Sequence, residues 1–307
     1  MDKILVVGSL NMDFVIEVDA RPLAGETVLG KRVALVPGGK GANQAYAAAR
    51  LGGDVRMIGA VGDDVYGRML KENLELAGVD TSGVETVSGV SSGNAFITVD
   101  SRGENSITVI QGANALVTRE LAARHIDMID DCDTVIVQLE IPLDAVDYVK
   151  NAAKEKGKRV ILDPAPAREG LPEEFFRGFD IVKPNETELQ ILSGKSAVTK
   201  EELAEGAREL LKKGVGKVIV TLGERGCIVV SEDTYEEFPA HKVHAVDTTA
   251  AGDSFTGAFA AALARGDSCE DAVKFGNCAS GIAVTRKGAQ TSIPTMEEVI
   301  NMMKREG

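Results

Sequence analysis

The chain of 307 residues is poor in the side chains that build zinc sites and disulfide frameworks. It has three histidines and four cysteines, and the cysteines are Cys132, Cys227, Cys269 and Cys278. Their separations fit neither a metal clip nor a small disulfide scaffold, so we expect free thiols in a reducing cytosol. His241 and His244 have no third ligand nearby, which favours surface loop residues over a zinc site.

The sequence also lacks long apolar runs and basic clusters. No apolar run approaches the roughly 18 residues that span a bilayer, and the opening segment MDKILVV has none of the features of a signal peptide. With 34 Lys and Arg against 47 Asp and Glu, the net charge of −13 repels a phosphate backbone. We therefore expect a soluble, cytoplasmic protein with no nucleic-acid or membrane partner.

Short continuous apolar runs alternate with helical patterns along most of the chain. Predicted strands cover residues 4–7, 55–58, 134–137, 160–162, 181–182 and 218–221. Predicted helices cover residues 42–51, 67–77, 119–129, 144–156, 200–213, 252–265 and 269–284, with a final helix capped by Thr295 and Glu298. Continuous apolar strands between helices are typical of an α/β fold, a doubly wound and mostly parallel sheet with helices on both faces.

Four further strand-like segments interrupt this alternation. They cover residues 14–18, 33–36, 95–99 and 107–110, and a hairpin turn at 100–103 joins the last two. We expect one domain over residues 1–307, with a small β-sheet lid built from about 13–36 and 94–111. A sheet this small, without a helix to cover it, is marginal alone. The pattern therefore favours a homodimer formed through the lid sheet.

The segment from Asp247 to Phe255 reads DTTAAGDSF and runs directly into a helical pattern. Small residues let backbone N–H groups approach a ligand, and a helix N-terminus carries roughly half a positive charge. This arrangement suits charge that develops on a transferring phosphoryl group, with Asp253 placed to accept a proton. The alternative is that Asp253 only stabilises the start of the helix.

The segment from Pro37 to Ala45 reads PGGKGANQA. Three glycines around Lys40 indicate a backbone that approaches a ligand, because glycine costs conformational entropy. The spacing is not that of a phosphate-binding Walker loop, and no dinucleotide fingerprint follows the first strand. A plain helix-entry loop is the alternative.

Two polar segments follow predicted strands, where open α/β sheets bind ligands. Asn11 and Asp13 follow the first strand and can hydrogen-bond a sugar diol, although both residue types are also common in turns. The segment KPNETE, from Lys183 to Glu188, offers oxygens for a hydrated Mg²⁺. An ordinary capped helix start predicts the same residues.

Together these segments resemble the ribokinase-like carbohydrate kinase family. DTTAAGD resembles its C-terminal signature and GGKGANQA its N-terminal one, while DPAPAR (163–168) and TRKGAQ (285–290) are similar to further family segments. The likeness spans nearly the whole chain in the family's order. It implies transfer of the γ-phosphoryl of ATP to the 5-hydroxyl of D-ribose, giving ribose 5-phosphate and ADP.

The resemblance also implies a role for individual residues. Asp253 would be the catalytic base, and Ala251 and Gly252 would offer N–H groups to the phosphoryl. Sugar contacts would come from Asn11, Asp13, Gly39, Lys40, Asn43, Glu140 and Asp253. ATP contacts would come from Asn185, Thr221, Gly223, Gly226, Gly252 and Asn277, with Glu188 holding Mg²⁺ through water. An activating K⁺ would be held by the side chains of Asp247 and Ser292 and the carbonyls of Thr249, Ala283, Arg286 and Gly288.

Two alternatives stay open. One is a kinase for deoxyribose, fructose or a nucleoside, although 4% aromatic residues leave few partners to stack on a base. The other is a non-catalytic sugar-binding regulator, which would not need Asp253 beside Gly252. Ala251 stands where many family members have glycine, but alanine also carries a backbone N–H.

Overall fold

The computed structural model describes residues 2–304, so residue 1 and residues 305–307 of the predicted domain lie outside the described part. The strands are β1 (Lys3–Val7), β2 (Asn11–Val18), β3 (Gly30–Gly38), β4 (Asp54–Gly62), β5 (Asp80–Val87), β6 (Gly93–Val99), β7 (Asn105–Ile110), β8 (Thr134–Gln138), β9 (Arg159–Asp163), β10 (Ile181–Val182), β11 (Lys217–Thr221), β12 (Cys227–Val230) and β13 (Tyr235–Phe238). The helices are α1 (Lys40–Arg50), α2 (Val65–Leu76), α3 (Arg119–Arg124), α4 (Ile126–Asp130), α5 (Leu143–Glu155), α6 (Glu173–Phe176), α7 (Glu186–Ser193), α8 (Lys200–Lys212), α9 (Ala251–Ala264), α10 (Cys269–Ala283) and α11 (Met296–Met303).

The large sheet has the strand order β13-β12-β11-β10-β9-β8-β1-β4-β5. Pairing is parallel from β11 to β5 and antiparallel at β12 and β13. Side chains alternate between two cores: Ile4 and Val6 pack on one face, and Leu5 and Val7 on the other. The predicted mostly parallel sheet with helices on both faces is confirmed.

The differences from the sequence prediction include three strands and one helix boundary. The strands β5, β12 and β13 were not predicted. Of these, β5 and β13 form the two edges of the sheet and are rich in polar residues. The single helix predicted over 119–129 is wrong, because it is two short helices that meet at His125. His125 leaves helical geometry there, and its Nε2 lies 3.1 Å from Oε1 of Glu85 on β5.

The small sheet, which we call the lid sheet, has the order β3-β2-β6-β7, and its four strands match the prediction. Three residues separate the end of β1 from the start of β2, so the lid sheet begins at the carboxyl edge of the large sheet. The expectation that no helix covers it is wrong at one point. The rings of Phe14 on β2 and Tyr66 on α2 meet edge to face at 5.3 Å.

The cysteines are free thiols, as expected. Across residues 2–304, no helix combines enough length with enough apolar character to cross a bilayer.

Candidate active site

Asp253 lies in the first turn of α9 and is buried. Its two carboxylate oxygens accept hydrogen bonds from neighbouring residues of α1. Asn43 Nδ2 donates to Oδ2 at 2.9 Å, and Gln44 Nε2 donates to Oδ1, also at 2.9 Å. The two segments rich in small residues that the sequence singles out, at the starts of α1 and α9, therefore meet at this carboxylate.

A buried polar network continues from Asp253 through residues to which the sequence assigned no role. Gln44 Nε2 also donates to Asp163 Oδ2 at 2.8 Å, and Lys183 Nζ lies 3.4 Å from the same oxygen. Gln138 Nε2 donates to Gln44 Oε1 at 2.7 Å. The available signal was the position of Gln138, Asp163 and Lys183 at the carboxyl ends of successive strands.

The sugar-site candidates Asn11, Asp13 and Glu140 lie around the ends of β1 and β8. Asn11 Oδ1 accepts a hydrogen bond from Asn114 Nδ2 at 2.7 Å, and Asn114 is another residue that the sequence did not single out. Burial, then the charges of Glu140 and Asp253, raise the pKa of Asp13 to about 7. The structure therefore brings three carboxylates into one neighbourhood.

Glycine residues let the backbone before α1 pack closely against Asn11 and Asp13. A Cβ on Gly38 would lie 2.2 Å from Asp13 Oδ2. Gly39, the residue before α1, has a φ of 89°, and a Cβ there would lie 2.7 Å from the backbone nitrogen of Asn11. The glycines of this loop thus meet a need for close approach, beyond that of a plain helix entry.

Lys40, the first residue of α1, is the cation that faces these carboxylates. Burial lowers the pKa of Lys40, but Asp253, Asp163, Glu140 and Glu188 raise it, and the net pKa lies above its ordinary value. Lys40 therefore stays protonated and positively charged beside these carboxylates.

A cleft of about 380 Å³ opens beside Asp253. It is lined by all six residues predicted to contact ATP: Asn185, Thr221, Gly223, Gly226, Gly252 and Asn277. Lys40, Asp163, Lys183 and Glu188 also line it. Of the predicted sugar contacts, only Lys40 and Asp253 reach this cleft.

The start of α9 presents backbone donors to the cleft. Ala250, with a φ of 57°, is the one non-glycine residue at positive φ among residues 2–304. The Ala251 N–H donates to Thr248 O at 3.2 Å. The N–H groups of Gly252 and Asp253 have no acceptor within the described chain. Two free donors at a helix N-terminus suit an anion.

Glu188 and Asn185 form the capping box of α7. Asn185 N donates to Glu188 Oε2 at 2.9 Å, and Glu188 N donates to Asn185 Oδ1 at 2.8 Å. The capped helix start that the sequence offered as the alternative is thus present, and Glu188 also lines the cleft. Burial, then the charge of Asp163, raise the pKa of Glu188.

The residues predicted to hold a monovalent cation lie on two loops joined by hydrogen bonds: Asp247 and Thr249 on one, and Ala283, Arg286, Gly288 and Ser292 on or beside the other. Asp247 Oδ2 accepts from Gly288 N at 2.9 Å, and Oδ1 accepts from Thr249 N at 2.9 Å. Partial burial by itself would raise the pKa of Asp247, but these hydrogen bonds hold that pKa below its usual value. An ionised carboxylate beside two peptide loops fits a monovalent cation with oxygen ligands.

A second cleft, of about 760 Å³, separates the lid sheet from these loops. Asp13, Asp247, Thr249 and Gly288 line it. Asn11, Gly39, Asn43 and Glu140 line neither cleft. Over the described range 2–304, no three His, Cys, Asp or Glu side chains gather closely enough to hold a metal ion.

Comparisons with known proteins agree with this geometry. A family model described as pfkB family carbohydrate kinase matches residues 1–296. The ribokinase of Haemophilus influenzae is 40% identical over 299 residues, covering 97% of each chain. The deoxyribokinase of Salmonella typhi is 38% identical over 295 residues, covering 96% of each.

Among solved structures, the ribokinase of Arabidopsis thaliana complexed with ribose and ATP superposes with a TM-score of 0.93. It is 34% identical in sequence, and the match covers 99% of both chains.

Proposed function

Because this chain belongs to the pfkB family of carbohydrate kinases, we propose that it transfers the γ-phosphoryl group of ATP to the 5-hydroxyl of D-ribose. The products are ribose 5-phosphate and ADP. The observation that carries the proposal is the convergence at Asp253 of the two segments rich in small residues and the cleft lined by the predicted ATP contacts. A pure binding protein has no need for a carboxylate beside free N–H donors.

D-Ribose is supported as the substrate by the ribokinase relative and by the related structure that holds ribose and ATP. Deoxyribose is the second candidate, because a deoxyribokinase is nearly as similar to this chain. The two sugars differ by one hydroxyl, so a single hydrogen-bonding position separates the two assignments.

In the proposed reaction, Asp253 accepts the proton of the sugar hydroxyl as its oxygen attacks the γ-phosphorus. The bond from that phosphorus to the bridging oxygen of ADP breaks, and ADP leaves. The N–H groups of Gly252 and Asp253, together with Lys40, stabilise the charge on the migrating group. Ala251 N–H joins them if its hydrogen bond to Thr248 O opens. Asn11, Asp13, Gly39, Asn43 and Glu140 orient the sugar.

Two cations complete the proposal. Glu188 would hold Mg²⁺ through water, and the ion supplies charge neutralisation on the phosphates. The two loops that carry Asp247 and Gly288 (the Asp247 loops) would hold K⁺ beside the start of α9.

Replacing K⁺ by Na⁺ at constant ionic strength is expected to lower kcat. An unchanged kcat would remove the K⁺ site from the proposal.

We also propose that the lid sheet closes over the sugar, that two lid sheets meet in a homodimer, and that the protein works in the cytoplasm. The cleft between the lid sheet and the Asp247 loops supports the first point. The exposed apolar side chains of β7 support the second.

A coupled assay of ADP release tests the function across ribose, deoxyribose, fructose and a nucleoside. We expect the highest kcat/KM with ribose. The Asp253→Asn variant supplies the matched blank. Release that never exceeds this blank with any acceptor would favour a non-catalytic regulator, and preference for another acceptor would reassign the substrate.

A further inference from the structure

Gln44 connects two buried carboxylates through one nitrogen atom. Its side chain is fully buried on α1, and Nε2 donates to Asp253 Oδ1 at 2.9 Å and to Asp163 Oδ2 at 2.8 Å. An amide nitrogen has two hydrogens and an ionised carboxylate only accepts. Both hydrogens are therefore committed, one to each aspartate.

The other end of this amide is fixed as well. Gln138 Nε2 donates to Gln44 Oε1 at 2.7 Å, so the amide cannot reverse without losing three hydrogen bonds. Gly8 makes room for Gln138, because a Cβ at Gly8 would lie 1.9 Å from Gln138 Oε1.

Asp163 is anchored independently of Asp253. Lys183 Nζ lies 3.4 Å from Asp163 Oδ2, and the side chains of Lys183 and Asp163 are only 6% and 3% exposed. The Thr256 hydroxyl lies 3.5 Å from the same oxygen. Gln44 thus ties Asp253 to a fixed ion pair at the carboxyl ends of β9 and β10.

Asn43 also donates to Asp253, but its position differs. Asn43 is a proposed sugar contact, so its amide is shared with the substrate. Gln44 is fully buried, and both hydrogens of its amide nitrogen are donated to aspartates, so its hold on Asp253 does not depend on a bound sugar.

We infer that Gln44 is the positioning residue for Asp253, holding its carboxylate at the angle that accepts the sugar proton. The inference rests on the proposed function, because it takes Asp253 as the base. Removing the amide should lower kcat by about 10–100-fold, the scale of a small misplacement of a reacting group. The KM values for ATP and ribose should stay close to those of the wild type.

Gln44→Met keeps the volume of the side chain and removes the donors. Gln138→Met is the matched control, because it disturbs the same buried network and leaves both donors to the aspartates in place. We expect kcat to fall in Gln44→Met and to change little in Gln138→Met, even where thermal unfolding shows equal destabilisation. Equal kcat losses in the two variants, or wild-type kcat in Gln44→Met, would overturn the inference.

Gln44→Glu is the second test variant, to be used if Gln44→Met does not fold. At high pH its carboxylate repels Asp253 and Asp163, whereas at low pH its protonated form can donate to one of them. The kcat deficit relative to the wild type should therefore shrink as the pH falls from about 8 to about 6. A deficit independent of pH would contradict the inference.

Other charged groups face this position from the surrounding elements. They are Lys40 on α1, Lys183 after β10, Asp13 on β2, Glu140 after β8 and Glu188 on α7. Because the same groups are present in the wild type, the deficit is taken as the ratio of the two kcat values at each pH.

The wild-type assay separates this inference from the proposed function. A wild type without sugar-dependent ADP release overturns both. An active wild type with an unaffected Gln44→Met overturns the role of Gln44 alone.

Discussion

Asp253 owes its geometry to consecutive amides, Asn43 and Gln44, that hold one oxygen each. We predict that Asp253→Asn folds but loses about 10²–10⁴-fold in kcat, the usual effect of removing a general base. Circular dichroism and nucleotide binding serve as controls for the fold. Near-wild-type turnover in this variant would exclude Asp253 as the base.

Asp13 should make the stability of the fold depend on pH. Burial raises its pKa from 3.8 to about 7, so the folded protein keeps a proton that the unfolded chain releases. The stabilisation is complete below about pH 4 and is lost as the pH rises to about 7. Asp13→Asn removes this loss, so its Tm relative to the wild type should be higher at pH 8 than at pH 5. Calorimetry that finds the same Tm difference at both pH values would contradict the raised pKa.

The start of α1 depends on Gly39. A residue with a side chain must adopt a φ of 89° at this position, and its Cβ would lie 2.7 Å from the backbone nitrogen of Asn11. Gly39→Ala should therefore destabilise the protein by more than the roughly 1–2 kcal/mol of left-handed strain and raise the KM for the sugar.

Gly78→Ala is the matched control for Gly39→Ala. Gly78 has a φ of 91°, and a Cβ there meets no atom within 4 Å. Its variant should show the strain alone, with an unchanged KM. Equal Tm losses in the two variants would mean that close approach at Gly39 contributes nothing.

At the scale of the whole molecule, the lid sheet exposes an apolar surface on the side that faces the cleft. Val109 pairs with Ala95, and Ala95 pairs with Asp13, so the three side chains project from one face. Ile107 and Val109 are 56% and 50% exposed. The lid sheet of a second copy of this chain would cover them.

We therefore predict a dimer by light scattering at micromolar concentration and a monomer for the Ile107→Asp, Val109→Asp double variant. Leu76→Asp, at a residue that is 88% exposed at the end of α2, should remain a dimer. A monomeric wild type would rule out the lid interface.

Much of the architecture follows from local patterns. The apolar runs of β1, β4, β8 and β9 predict a parallel core, because strands buried on both faces tolerate few polar residues. Edge strands such as β5 and β13 escape this reasoning, since polar residues on a strand with one neighbour look like loop. The break at His125 likewise depends on its contact with Glu85 on a distant strand.

By itself, the sequence determined the α/β alternation, the lid strands and the candidates Asp253, Asn43 and Lys40, because periodicity and glycine-rich segments are local properties. Only the tertiary structure decided that Gln44, Gln138, Asp163 and Lys183 join these candidates in one network. Their contacts span from 20 to 209 positions of the chain. Such contacts arise from strand order and burial, which no short stretch of sequence encodes.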